Sequence, residues 1–236
     1  MVDKRYCPTE ELFDCLPDTV FFIKNTAGQY AVVNETLVKR CGLRRKSELI
    51  GKKPSEVQGR SLGADYEKQD LKVLSSGQPI VNQLELHTYP DRSLGWCMTN
   101  KYAVYDDEGI LLGLAGVSQD LRAPDENHAD YAQLQSVIEY TENHLYLPPD
   151  VKSLSERAGF SPYQLDRRIR DIFGLSTGQW ILKLRLDLAR KQLLTTKLPI
   201  AEIANNVGYA DQSAFSRQFY RATGFSPLAF RKTGKY

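Results

Sequence analysis

The feature that most constrains the fold of this chain is a segment that occurs twice in its second half. Residues 151–174 and 200–224 align with an offset of 49 positions, which becomes 50 after a one-residue insertion. In each copy a short helical pattern ends at a glycine, Gly159 or Gly208, and a second helical pattern follows at once. Glycine tolerates the backbone conformation that a sharp turn requires. The repeat therefore predicts two helix-turn-helix motifs.

The second helix of each copy is predicted to have one apolar side and one basic, polar side. Residues 161–164 (Ser-Pro-Tyr-Gln) have the form of a capping box, and Asp211 is expected to cap the equivalent helix. At about 100° per residue, the side expected to pack inward carries Leu165, Ile169, Ile172 and Phe173 in the first copy and Phe215, Phe219 and Ala222 in the second. The side expected to face outward carries Tyr163, Gln164, Arg167 and Arg170, and then Ser213, Arg217, Tyr220 and Arg221. Arginines often serve only to solvate a helix, but the same basic face recurs after both turns. This recurrence favours DNA recognition.

The distribution of charge supports that interpretation. At roughly 100–200 residues per domain, a chain of 236 residues is expected to form two domains. The net charge of +2 is uneven, because residues 1–128 carry 16 Lys+Arg and 19 Asp+Glu, whereas residues 151–236 carry 15 and 6. The resulting charges are −3 and +9. The basic charge thus lies with the repeat, as expected of a surface that displaces counterions from phosphates.

Cysteine usage and hydropathy indicate a cytoplasmic protein. The four cysteines, Cys7, Cys15, Cys41 and Cys97, form no CxxC pair and have no histidine at metal-ligand spacing, so reduced thiols and no metal site are expected. The polar, charged start is unlike a secretory signal. The longest apolar run, residues 110–117, is too short to cross a bilayer, so no membrane partner is expected.

The first half of the chain is predicted to be an antiparallel sheet with helices over one face. Alternating and apolar runs predict strands near 20–23, 30–33, 80–89, 95–105 and 110–118. Helices are expected over 10–16, 35–41 and 66–74, while the polar stretch 43–65 gives no clear pattern. The segments 16–34, 48–51 and 101–120 together resemble a PAS domain, and the resemblance covers about residues 9–122. It implies a sensory module, a dimerisation module, or both.

Flavin and haem are not expected in this domain. A flavin-binding light sensor of the PAS family carries its cysteine in an Asn-Cys-Arg-Phe-Leu-Gln type of motif, but Cys41 lies in Lys-Arg-Cys-Gly-Leu. Haem needs an axial ligand, and the helix predicted at 66–74 contains no histidine. A small organic ligand between sheet and helices remains open. Strand alternation places Trp96, Met98, Asn100 and Tyr102 on one face, where they either line a ligand cavity or pack a closed core.

The second half resembles the DNA-binding domain of the AraC/XylS family over about residues 130–234. The segment WILKLRLDLARKQLL (180–194) resembles the connecting helix of that family, and Trp180, Ile181, Leu184, Leu188 and Leu193 are expected on its apolar stripe. The segments IAEIANNVGYADQSAFSRQF (200–219) and TGFSPLAFR (223–231) resemble its second motif. Thr177 stands where the family usually has proline, whereas Pro227 keeps the proline of the second copy.

The resemblance implies candidate base-reading residues, namely Tyr163, Gln164, Asp166, Arg167 and Arg170 in the first motif and Gln212, Ser213, Ala214 and Arg217 in the second. Arginine can bind guanine O6 and N7, and glutamine can bind adenine. Asp166 is expected to order a neighbouring arginine rather than to read a cytosine amino group. Lys152, Lys197 and Lys232 are expected to contact phosphate.

The resulting prediction is an α+β fold: a PAS-like antiparallel sheet with covering helices, followed by an all-α domain in which a long helix joins two helix-turn-helix motifs. The expected boundaries are 1–122 for the PAS-like sensory domain, 123–130 for a short linker and 131–236 for the DNA-binding domain. Within the latter, the motifs cover about 151–174 and 199–223, and the connecting helix covers about 177–195.

The predicted function is sequence-specific regulation of transcription on double-stranded promoter DNA, controlled through the PAS domain by a small ligand or a partner. RNA polymerase and a second copy of the chain, the latter through the PAS domain, are candidate protein partners. An architectural DNA-binding protein whose PAS domain only dimerises is the alternative function. Three dispersed histidines, with no phosphate-binding glycine loop and no nucleophile–base pair, argue against an enzyme, so no catalytic residue is assigned.

Overall fold

The computed structural model describes residues 9–58, 60–89, 94–121, 123–124 and 129–233. The chain divides into two compact units and, apart from Ala222–Gly224, which are grouped with the first, the division falls after Asp120. The first contains an antiparallel sheet with helices and the second contains helices alone, so the predicted fold class is confirmed. Cys7 and part of the predicted linker lie outside the described residues.

The first unit is built on a sheet of five strands in the order β2-β1-β5-β4-β3, in which all neighbours are antiparallel. The strands are β1 (Thr19–Asn25), β2 (Tyr30–Val33), β3 (Ile80–Thr88), β4 (Leu94–Tyr105) and β5 (Leu111–Asp120). The helices are α1 (Thr9–Asp14), α2 (Glu35–Arg40), α3 (Pro54–Val57) and α4 (Arg60–Ser76), with a short 3-10 turn at Lys46–Glu48. The core between them includes Val20, Phe22, Val33, Leu37, Leu49, Val73 and Leu114.

Helix α4 begins earlier than predicted, at Arg60 instead of near residue 66. A Cβ atom added to Gly63 would lie 2.4 Å from the Cα of Ser55 in α3, so the two helices meet backbone to backbone. This contact requires a glycine, and glycine weakens a helical pattern in a sequence. The polar stretch 43–65 therefore concealed one short helix and the first turns of another.

The sequence-based prediction for β4 was wrong about which face lines the interior. Lys101 is 2% exposed, and its Nζ donates to Asp70 Oδ1 of α4 at 2.8 Å. Because side chains alternate along a strand, Cys97, Thr99 and Lys101 lie on the helix-covered face. Trp96, Met98, Asn100 and Tyr102, the predicted cavity residues, lie on the opposite face. Lys101 can be buried on the interior face because α4 supplies the carboxylate with which it pairs.

The second unit contains α5 (Ala129–Asn143), α6 (Val151–Ala158), α7 (Pro162–Phe173), α8 (Thr177–Thr195), α9 (Ile200–Asn206), α10 (Gln212–Thr223) and α11 (Pro227–Thr233). Helix α8 packs against α7, α9 and α11. Its buried side chains include Trp180, Ile181, Leu186, Ala189 and Leu193, whereas Leu184 and Leu188 of the predicted stripe are only half-buried. The buried surface of α8 is wider than the predicted stripe and also includes Leu186 and Ala189, because α8 contacts α7, α9 and α11.

Among the helices of the described residues, none combines the length and the apolar character that crossing a bilayer requires. In the same part of the chain, no group of three or more His, Cys, Asp or Glu side chains is placed to hold a metal ion.

Candidate nucleic-acid interface

The first helix-turn-helix is formed by α6, the turn at Gly159 and α7. Gly159 has a φ of +69°, in the left-handed region that favours glycine. Ser161 Oγ accepts a hydrogen bond from the backbone N–H of Gln164 at 3.2 Å, and Gln164 Oε1 accepts from the N–H of Ser161 at 2.9 Å. The predicted capping box is therefore present. Gln164 would need both its amide oxygen and its amide nitrogen to bind adenine. In the capping box the oxygen is already occupied by the N–H of Ser161.

Helix α7 separates an apolar side from a basic side, as the periodicity predicts. Leu165, Ile169 and Ile172 are buried, and the ring of Phe173 stacks on Trp180 of α8 with 5.2 Å between centroids. Tyr163 is 77% exposed, and Gln164, Arg167 and Arg170 are exposed as well. Within the described part of this unit, no other element covers the basic side of α7, so these four side chains are open to solvent.

Asp166 connects this exposed side to the start of α8. Its Oδ1 accepts from the backbone N–H of Thr177 at 2.7 Å and from Thr177 Oγ1 at 3.1 Å, while its Oδ2 accepts from Arg170 Nε at 2.9 Å. Partial burial by itself raises the pKa of Asp166, but the hydrogen bonds from Thr177 and Arg170 outweigh it and lower that pKa below its ordinary value. Thr177 thus gives the first motif a backbone donor that proline would lack.

The two predicted arginines of α7 are held differently. Arg170 is hydrogen-bonded to Asp166, which fixes its direction. Arg167 lies 3.9 Å from Asp171 in an ion pair whose two side chains are 74% and 47% exposed. Such exposed pairs contribute about 0–1 kcal/mol. Arg167 can therefore exchange Asp171 for another partner at little cost.

Arg168 is a residue that the sequence did not single out. It forms an ion pair with Asp130 of α5, and its guanidinium lies 4.5 Å from the centroid of the Phe160 ring. Arg168 therefore anchors α7 to α5 and to the turn of the motif. Helical periodicity places Arg168 about 100° around the helix from Arg167, but it does not identify a partner that is 38 positions away.

The second helix-turn-helix is formed by α9, the turn at Gly208 and α10. Gly208 has a φ of +77°, and Asp211 Oδ1 caps α10 by accepting from the N–H of Ala214 at 2.7 Å, as predicted. Phe215, Phe219 and Ala222 are buried on the inner side. On the outer side Gln212, Ser213 and Arg217 are exposed, and Ala214 is half-buried. The two motifs thus offer comparable basic faces.

Arg185 of α8 holds the turn of the second motif. Its Nε donates to the carbonyl of Val207 at 2.6 Å and its Nη2 donates to the carbonyl of Gly208 at 2.9 Å. The guanidinium also lies 3.9 Å from the centroid of the Tyr209 ring. The connecting helix therefore determines the position of the second turn as well as the separation of the motifs. This role of Arg185 has no signal in the sequence, because nothing in the pattern of α8 pairs an arginine with backbone carbonyls.

Two family models match the chain. The model of a helix-turn-helix domain matches residues 154–233, and the model of a PAS fold matches residues 13–126. Regulatory protein SoxS of Salmonella typhimurium is 34% identical over 98 residues, which are 42% of this chain and 92% of that protein. The arabinose operon regulatory protein of Escherichia coli is 32% identical over 123 residues, which are 52% of this chain and 40% of that protein.

Solved structures similar to the chain include VqmA of Vibrio cholera in a complex with ligand and DNA. It is 21% identical, covers 75% of this chain and 84% of its own, and has a TM-score of 0.46. The chain spans less than half of the arabinose operon regulatory protein, whereas it spans most of SoxS.

Proposed function

Because the chain belongs to the AraC family of transcription regulators, with a PAS fold ahead of its helix-turn-helix domain, we propose that it binds promoter DNA at specific sequences and regulates transcription under the control of the PAS domain.

The observation that carries this proposal is the pair of basic, exposed helix faces that follow two left-handed glycine turns in one helical unit. Helix α8, which connects them, has 19 residues. At ~1.5 Å per residue it is ~28 Å long, close to the ~34 Å of one turn of DNA. A rigid helix of this length supports the binding of α7 and α10 in successive major grooves on one side of the duplex.

The candidate residues have different roles in this proposal. Arg167 and Arg217 read guanine, because their guanidinium groups match the O6 and N7 acceptors. Gln212 reads adenine, whereas Gln164 first has to leave its capping box. Asp166 and Arg170 act together, with the carboxylate orienting the guanidinium. Tyr163, Ser213 and Ala214 contact the bases or the sugar-phosphate backbone beside them.

Regulation also involves protein partners in this proposal. RNA polymerase is the partner at the promoter, and a second copy of the chain is the partner of the PAS domain. Tyr102 and Tyr105 of β4 are about half exposed, which supports a surface that a second copy can cover. Sedimentation of the full chain, alone and on DNA, distinguishes a monomer from a dimer.

Selection from a random DNA pool by the full chain tests DNA recognition. We expect enrichment of two short motifs whose centres lie about 10 bp apart. Inserting about 5 bp between them turns one motif to the opposite side of the duplex and should abolish binding by the pair. Enrichment without any shared sequence would overturn specific recognition and would favour an architectural DNA-binding protein.

A further inference from the structure

The first unit contains a cavity of about 220 Å³ whose lining includes Arg40, Gln58, Tyr66, His87 and Tyr89. A second, smaller space of about 40 Å³ shares Arg40, Gln58, Tyr66 and His87 and extends to Lys24 and Lys101. Together these spaces lie below the ~300–1,000 Å³ that is typical of pockets for drug-sized molecules. An occupant would therefore be small.

Polar atoms of three side chains that line this cavity have no hydrogen-bond partner among the described residues: Arg40 Nη1, Gln58 Oε1 and His87 Nε2. Arg40 is 9% exposed, and its other terminal nitrogen, Nη2, donates a hydrogen bond to Asp120 Oδ2. Buried polar atoms are normally hydrogen-bonded, because leaving one unpaired costs about 1–3 kcal/mol. Three such atoms around one cavity indicate a site for a polar molecule.

The hydrogen-bonding character of these groups can be assigned. The Arg40 guanidinium can only donate. Burial, with a smaller contribution from Arg40, lowers the pKa of His87 to about 3, so its imidazole is neutral near pH 7. A neutral imidazole nitrogen either donates or accepts, depending on the tautomer. Gln58 presents its Oε1 as an acceptor, because its Nε2 donates to Tyr30 and Cys41. The cavity thus offers one fixed donor, one acceptor and one adaptable group.

The charges around the cavity are already balanced. Asp70 accepts hydrogen bonds from both Lys24 and Lys101, and Arg40 is paired with Asp120. Glu85 is 5% exposed, and its Oε1 accepts from Gln69 at 2.7 Å and from Gln83 at 2.6 Å. The formal charges of these three cations and three carboxylates therefore cancel, with Glu85 hydrogen-bonded, among the described residues, to amides and not to a cation. A charged ligand would be buried without a counter-ion of its own, which is unfavourable.

We propose that this cavity binds a small, uncharged, planar ligand about the size of one aromatic ring, with an acceptor for Arg40 and an N–H or O–H donor for Gln58 or His87. The rings of Tyr66, His87 and Tyr89 line the cavity, and an aromatic ring can pack on their faces or edges. The inference rests on the proposed function, because it specifies the signal through which the PAS domain controls DNA binding.

Thermal unfolding of the full chain with three one-ring probes tests this proposal. We use 2-pyridone, which is neutral and has adjacent acceptor and donor groups, benzoate, which is an anion, and benzylamine, which is a cation. At millimolar concentrations 2-pyridone should raise Tm with increasing dose, while the other two should leave Tm unchanged. A shift with benzoate or benzylamine that equals or exceeds the 2-pyridone shift would overturn the proposal, and so would the absence of a 2-pyridone shift.

Two variants locate the binding. Gln58→Leu removes the unpaired Oε1 and should weaken 2-pyridone binding about tenfold or more, and His87→Phe keeps a flat ring but removes Nε2. Gln78→Leu, the same substitution at an exposed position, is the control and should bind as the wild type does. If only one of the two variants still unfolds cooperatively, that variant alone decides the outcome. A folded variant that binds 2-pyridone as tightly as the wild type does would contradict the proposed site.

DNA binding is measured on the same wild-type sample, with the site enriched in the selection. If DNA binds and 2-pyridone does not, the ligand class is wrong and the DNA-binding function stands. If 2-pyridone binds and no DNA sequence is enriched, the cavity assignment stands and the proposed function is overturned.

Discussion

Asp166 accepts hydrogen bonds from Thr177 at the start of α8 and from Arg170 on the outer side of α7. We expect Asp166→Asn to lower the free energy of unfolding by about 1–2 kcal/mol, because hydrogen bonds to a charged group are worth more than neutral ones. Urea denaturation of the full chain measures the change. The control is Asp171→Asn, which breaks only the exposed pair with Arg167 and should cost less than about 0.5 kcal/mol. Equal losses in the two variants would contradict the role assigned to Asp166.

The turn glycines of the two motifs provide a matched comparison. Both have φ near +70°, but a Cβ atom at Gly208 would lie 2.5 Å from Pro148 Cδ and 2.7 Å from the carbonyl oxygen of Leu145, whereas at Gly159 it would meet nothing within 4 Å. Gly159→Ala should therefore lower the free energy of unfolding only by the strain of a left-handed alanine, about 1–2 kcal/mol. Gly208→Ala should lower it clearly more, because the new methyl group would also collide with the backbone of Leu145, which would have to move. Urea denaturation measures the free energy of unfolding of both variants. Equal losses would contradict the steric role assigned to the surroundings of Gly208.

His87 gives the fold a specific dependence on pH. Its pKa is about 3 in the folded chain and has an ordinary value of 6.5. The unfolded chain therefore binds an additional proton between these values, and stability falls as the pH falls through that window, by up to about 1.4 kcal/mol per pH unit.

Replacing His87 by phenylalanine removes this titration. We expect the free energy of unfolding of His87→Phe to change less between about pH 6.5 and pH 4.5 than that of the wild type. Denaturation by urea across this range measures both slopes. Identical slopes would show that His87 is not the group responsible.

At the scale of elements, α8 fixes the second motif through the side chain of Arg185. We expect Arg185→Met to leave the carbonyls of Val207 and Gly208 without their donors and to loosen the turn before α10. Footprinting on the bipartite site should then show weaker protection of the half bound by α10, with the half bound by α7 protected as before. The exposed Lys191→Met on the same helix is the control. Equal weakening of both halves would contradict the proposed coupling.

Elements that carry a local signal were predictable from the sequence. Ser161 and Gln164 cap α7, and Asp211 caps α10, because capping depends only on residues within one turn. The interior face of β4 was not predictable, since the burial of Lys101 depends on Asp70, which is 31 positions away. The first turns of α4 were hidden for a similar reason, because Gly63 is explained by its contact with α3.

At the scale of the whole molecule, repetition and charge indicated the fold class and the kind of partner. The +9 charge of residues 151–236 follows from composition, and the two exposed faces follow from helical period. The contacts that anchor those faces could not be predicted from composition or helical period. Arg168 reaches Asp130 on α5 and Arg185 reaches the turn of α9, and both contacts exist only once the helices are assembled.

We propose that the outer faces of α7 and α10 read separate parts of one DNA site. The most direct test is to measure the affinity of the wild type, Arg167→Ala and Arg217→Ala for the selected site and for versions permuted in either half. Each variant should lose about 1–3 kcal/mol of discrimination at one or two base pairs, within a different half, and keep its discrimination in the other. A uniform loss of affinity for every sequence, in both variants, would contradict base reading by these helices.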